Sequence, residues 1–158
     1  MASIFPNLWA AIYARAIADS GSNGLFDSLG TAYLIGGFWN NQGPRNNPMP
    51  FCVYNVGADA NRNSRGKRLV EVTWRLSTFV AIKDSSIAVA MTRGAAILAR
   101  TIGDWNTATG YVPTYGFDHW APTVTGFASS PMNLLSTREL HENTVLHWVQ
   151  EFSLFIST

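Results

Sequence analysis

The sequence predicts an α+β fold, a mostly antiparallel sheet with two helices packed on one face. Three stretches carry that prediction. Residues 4–17 repeat apolar side chains every fourth position. Residues 68–80 alternate apolar and polar side chains, then run into a second amphipathic segment that ends at Gly103. Residues 145–157 close the chain with a long apolar strand. The order is helix, three strands, helix, two or so strands and a final strand. Strands outnumber helices, and the hairpins favour antiparallel pairing.

The first helix rests on Ile4, Leu8, Ile12 and Ala16, with Trp9, Tyr13 and Ile17 beside them. That spacing keeps one helical face apolar. Ser3 or Pro6 opens it and Gly21 stops it. Ser22, Asn23 and Gly24 make a turn. Thr31–Phe38 reads as a short strand weakened by Gly36 and Gly37. Residues 40–50, NNQGPRNNPMP, form a polar loop of turn formers, a surface segment or an arm reaching a neighbour.

Pro50 leads a strand over Phe51–Val56. The next segment, GADANRNSRG, reads as a hairpin connection of about ten residues, longer than the usual two to five. In RLVEVTWRLSTFV, Val70, Val72, Trp74 and Leu76 share one face, and Glu71, Thr73, Arg75 and Ser77 share the other. Asp84, Ser85 and Ser86 each offer an oxygen to cap a following helix. Ile87, Met91, Leu98 and Ile102 form a stripe expected to pack on the strand face of Trp74. Gly103 ends that helix. Pro113, Pro122 and Pro131 divide the following region, in which Tyr111–Trp120 is expected to hold one short strand and Thr123–Phe127 another. In the last strand Leu146, Trp148, Phe152, Leu154 and Ile156 share a face. Val145, Val149 and Phe155 make the other face partly apolar, which places the strand inside a sheet or at an interface.

At 158 residues the chain is expected to be a single domain, 1–158. Charged residues are 13%, against about 25% in an ordinary globular protein. Between Asp19 and Arg45 the sole charge is Asp27, and between Asp104 and Arg138 it is Asp118. Arginine outnumbers lysine and aromatics reach 13%, a mixture that suits subunit interfaces. A net charge of +1 argues against a surface that grips DNA. The basic cluster Arg62, Arg65, Lys67 and Arg68 reads as a hairpin tip. Cys52, the single cysteine, excludes an internal disulfide and sits in an apolar run where a buried thiol is expected. No stretch reaches the ~20 apolar residues of a membrane span. The segment LWAAIYARAIA lacks a positive n-region and is interrupted by Arg15, so it reads as a mature helix of an intracellular protein.

No nucleophile elbow, phosphate loop or zinc spacing is present in the sequence. Asp118–His119 and His141–Glu142 are neighbours, and on a strand neighbours point to opposite faces. A Cys52–His147 dyad has no support beyond the two residue types. Glu139 and Glu142 in RELHE read as a solvated loop before the last strand rather than a catalytic carboxylate pair. Tyr111, Tyr115, Phe117 and Trp120 lack flanking cations, so core or subunit contact is a better reading than base stacking. The sequence therefore names no catalytic, cofactor or metal residue.

Four segments, FPNLWAAIYARAIA, NPMPFCVYNVG, RLVEVTWRLSTFVAIKDSSIAVAMTRGAAILARTI and TVLHWVQEFSLFIST, together resemble the tail terminator (tail completion, head–tail joining) proteins of long-tailed bacteriophages. The resemblance covers most of the chain except 104–137. It implies a non-enzymatic α+β subunit of a hexameric ring, with no cofactor and no membrane contact. The ring would cap the head-proximal end of the tail. Its partners would be the major tail tube protein and a head–tail connector or stopper protein, with DNA only passing through the channel. It implies a virion protein assembled in the host cytoplasm. Arg62, Arg65, Lys67, Arg68 and Arg45 are the candidate contacts to these partners. Residues 40–50 and 104–137 exceed a minimal member, so another neck or connector protein also fits. A small ligand-binding or enzyme domain of the same architecture is the rival from a different class.

Overall fold

The structure, a computed structural model, describes residues 4–19, 38–40, 51–64, 67–82, 86–106, 110–112, 116–142 and 144–157. Its elements run α1 (Ile4–Ala18), β1 (Phe38–Asn40), β2 (Phe51–Ser64), β3 (Lys67–Ala81), α2 (Ile87–Ile102), β4 (Asp104–Asn106), β5 (Gly110–Val112), β6 (Ala128–Ser129), β7 (Asn133–Glu142) and β8 (Val145–Ser157). The main sheet has six strands in the order β1-β2-β3-β8-β6, and β7 also pairs with β8. All of these pairings are antiparallel except β1 with β2. β4 and β5 form a separate ribbon.

The expected α+β architecture is present. The register aligns Val70 with Ile156, Val72 with Leu154, Trp74 with Phe152 and Thr78 with Trp148. The alternating apolar residues of β3 and β8 therefore merge into one buried face. Trp74 is its centre, stacked on Phe152 at 4.7 Å and edge-on to Phe117 at 5.0 Å. Its indole N–H points at the Met132 sulfur, 3.2 Å away. Both helices cover this face. Trp9 of α1 stacks on Tyr54 of β2, and Thr101 of α2 donates from its hydroxyl to Gln150 Oε1 at 2.6 Å. In α1, Leu8, Ile12 and Ala16 are fully buried as their spacing predicts, whereas Ile17 is exposed.

The buried stripe of α2 differs from the expected one. Ala90, Gly94, Ile97 and Thr101 face the sheet, Leu98 and Ile102 are half-buried, and Ile87 and Met91 lie in solvent. The reason is close approach. A Cβ on Gly94 would lie 2.1 Å from the six-membered ring of Trp148, so only glycine admits that ring against the helix axis. Small residues draw the helix down, and the larger ones rotate outward. Ser86 caps the first turn, accepting from Val89 N–H at 3.3 Å, and Gly103 ends the helix at φ +129°.

Three further expectations are corrected. GADANRNSRG is not a ten-residue connection. Its residues 57–64 continue β2, with a register shift between Ala58 and Ala60. Val124–Phe127 forms a turn rather than a strand, closed by Phe127 N–H to Val124 O at 3.0 Å. Among the described residues, the strand expected within Tyr111–Trp120 is present only at its start, as the end of β5, and Phe117–His119 is a turn. The segment RELHE is strand, part of β7. A register shift between Leu134 and Ser136 breaks its period of two, which hides the strand from pattern reading. Of the expected strand Thr31–Phe38, residues 31–37 lie outside the described residues and Phe38 opens β1.

Gly94→Ala should destabilise the fold by about 1–3 kcal/mol through overpacking. The atoms in its way belong to the indole's outer ring, so Trp148→Phe should relieve part of that cost. Chemical denaturation of both single variants and the double variant checks for the coupling.

Candidate interaction surface

Three of the sequence-predicted contacts, Arg62, Lys67 and Arg68, fall at one end of the sheet. β2 and β3 pair through Arg62 with Leu69, Asn63 with Arg68 and Ser64 with Lys67. β3 pairs with β8 no further than Leu69 with Ser157. Positions 63, 64, 67 and 68 thus reach past the end of β8. The register thus places Arg62, Lys67 and Arg68 at the same end of the β2–β3 pair. Arg65 and Arg45 lie outside the described residues.

Two further surfaces were not legible as such. On the outer side of α2, Ile87, Val89 and Met91 are 44–50% exposed. An open hollow of about 370 Å³ lies beside them, lined by Ala88, Val89, Thr92, Arg93 and Ala96. Its lining is aliphatic with a single cation and offers no acid–base pair. On β7, Leu135 and Leu140 are also exposed. The available signal was the i, i+4 recurrence of Ile87 and Met91, which pointed to an apolar stripe without saying which way it faced.

The groups screened for chemistry sit in structural roles. Cys52 is fully buried on the helix-covered face beside Thr78 Oγ1 at 3.1 Å. Burial pushes its thiol up to about 12, only partly offset by the Thr78 hydrogen bond. His147 lies on the opposite face, stacked on Phe79 at 4.2 Å, so the sheet separates it from Cys52. Asp118 and His119 lie in a turn rather than on a strand, and their side chains approach to 3.5 Å. Asp118 also accepts from Leu134 N–H at 2.9 Å, tying that turn to β7. His141 contacts Glu139 at 2.8 Å, because residues two apart on a strand share a face. Glu139 is committed to that contact, and the side chain of Glu142 lies outside the described ones.

The aromatic group divides. Phe117 is core, and Trp120 is half-buried with the Arg15 guanidinium 5.1 Å over its ring. Tyr115 lies outside the described residues, and β5 holds Tyr111. Arg15 also donates to Gly116 O at 3.2 Å, and Arg100 clamps the buried Asp19 carboxylate with two bonds of 2.6 and 2.7 Å. These cations join α1, α2 and the 116–118 segment to each other. Among the described residues, no cluster of His, Cys, Asp and Glu could hold a metal ion. Among them, too, no helix is long and apolar enough to cross a membrane.

This frame is shared with a known assembly. The chain aligns over 100% of its length with 100% of a chain from the virion of a native gene transfer agent particle, at a TM-score of 0.59 and 13% identity. At that identity the likeness establishes a common fold. No protein-family model matches the chain, and no curated protein sequence matches it.

Cys52 should resist thiol reagents in the native protein at pH 8, reacting about a hundredfold more slowly than in denaturant. Its raised pKa also sets a stability window. Below about pH 9 the thiol is protonated in both states, and between about 9 and about 12 only the unfolded chain ionises. The thiol therefore contributes stability that is lost as pH rises through that window, and Cys52→Ala should flatten the alkaline limb of a stability–pH curve.

Proposed function

We propose that the chain is a structural, non-enzymatic virion protein. More specifically, it is a tail terminator that forms a hexameric ring on the head-proximal end of a phage-type tail tube. The ring ends tube growth, receives the connector or stopper of the filled head, and lets DNA pass through its channel. The observation that carries this reading is the fold shared, end to end, with a chain of a gene transfer agent virion. The surface is in keeping with it. Exposed aliphatic groups on α2 and β7 suit subunit contacts, and the basic hairpin tip suits an acidic rim on a neighbour or on the tube. A near-neutral chain also suits a channel through which DNA must slide rather than bind.

Two outcomes follow from this reading. Particles made without the chain should carry tails of uncontrolled length that fail to join heads, and imaging of normal particles should place six copies at the tail–head junction. A twelvefold ring in the portal, or single copies along the shaft, would refute the terminator assignment. Separately, replacing Arg62, Arg65 and Lys67 with Ser should leave the thermal melt unchanged while lowering the yield of joined particles. An unchanged yield would remove the basic tip from the contact surface.

A further inference from the structure

We infer that two copies of the free chain pair edge to edge through β7, antiparallel, about a two-fold axis at Leu140. This inference does not rest on the virion reading. Ile82 N–H donates to Thr144 O at 2.8 Å, extending the β3–β8 ladder by one pair. Hydrogen-bonded and non-hydrogen-bonded pairs alternate in an antiparallel ladder. Even-numbered residues of β8 therefore turn their N–H and C=O groups toward β3, and odd-numbered ones toward the other side. Ser130 N–H donating to Phe155 O at 2.8 Å agrees.

On that other side Arg138 faces Val149 and Leu140 faces His147, so these two bond to β8. Thr137, Glu139 and His141 must then turn their main-chain groups outward. Leu134 shows the same parity, since its N–H goes to the Asp118 carboxylate rather than to β8. Past that capped point, no strand among the described residues pairs with the outer edge of β7. Its side chains from Thr137 to His141 are all exposed. A long open edge is a template for another strand.

The sequence of this edge identifies the other strand. Arg138-Glu139-Leu140-His141-Glu142 is complementary to its own reverse. Pairing Leu140 with the second copy's Leu140 sets Glu139 opposite His141 and Arg138 opposite Glu142, twice each. Glu139 and His141 are the outward-turned residues, so they form the hydrogen-bonded pairs. Leu140, 46% exposed in one copy, falls in the closer non-hydrogen-bonded pair, where side chains meet. Centring the axis on Arg138 or Glu139 instead would oppose like charges, which disfavours those registers. The contact is isologous and closes on itself as a dimer.

Sedimentation of the purified full chain tests this directly. The expected mass is twice 17.3 kDa. Arg138→Glu should weaken the dimer about tenfold, and adding Glu142→Arg should restore it. Those positions lie about 13 Å apart along one strand, so rescue reports on the contact between copies and not within one. Leu140→Cys should link two copies under oxidised glutathione, since a non-hydrogen-bonded pair suits a disulfide. Leu135→Cys should not link, and each variant's circular-dichroism melt controls for folding. A monomer at roughly 100 µM, well above the range of specific self-association, would overturn the inference. So would a charge swap without rescue, or an oligomer that Leu140→Cys cannot link, which would point to a different partner strand.

Discussion

The ladder between β3 and β8 sets the position of everything else. Its register puts Trp74 beside Phe152 and Thr78 beside Trp148, so two separate apolar alternations become a single continuous face. A slip of one residue would send Glu71, Thr73 and Arg75 into the core and expose Trp74. That cost fixes the pairing. β2 then adds to the free edge of β3 with Cys52 and Tyr54 on the same face. Two helices settle over the resulting apolar plane. Among the described residues no helix covers the opposite face, which carries the exposed Arg75–Glu151 ion pair at 2.7 Å.

How the helices settle decides what the molecule shows to others. α2 meets the sheet through Ala90, Gly94, Ile97 and Thr101 because the Trp148 ring must fit against its axis. The choice of small residues inward leaves aliphatic side chains outward. A buried hydrogen bond from Thr101 to Gln150 pins the same contact, and leaving either group unpaired there would be costly. The clamp of Arg100 on Asp19 holds α1 against α2. The outward display of Ile87, Val89 and Met91 is thus a consequence of core geometry rather than a loosely packed helix.

A chain with half the ordinary density of charge has few means to protect an open sheet edge. β7 keeps a register shift, Asp118 occupies one of its outward N–H groups, and its exposed end carries the polar sequence Arg138-Glu139-Leu140-His141-Glu142. Such an edge does not repel every strand. It selects those with the matching pattern, which is a stronger requirement than hydrophobic contact alone.

Several elements were fully determined by local sequence. The α1 stripe Leu8, Ile12 and Ala16, the alternation of β3 from Val70 to Leu76 and that of β8 from Leu146 to Ile156 all follow from periods of 3.6 and two. Ser86 and Gly103 mark the bounds of α2 by side-chain chemistry and backbone freedom. Tertiary structure decided what periodicity leaves open. Hydropathy ranked Ile87 and Met91 above Ala90 and Gly94, but the inward face of α2 was set by the volume of Trp148, a residue far away in sequence. β7 escaped pattern reading because its register shift moves successive residues to the wrong face and because an edge strand has little apolar area to bury. The extension of β2 through residues 57–64 depended on β3 as a hydrogen-bonding partner, since its Gly and Asn content alone favours a turn. The sequence determined where apolar faces exist. Only the fold decided which of them meet, because burial is settled by shape complementarity between segments that local patterns cannot relate to one another.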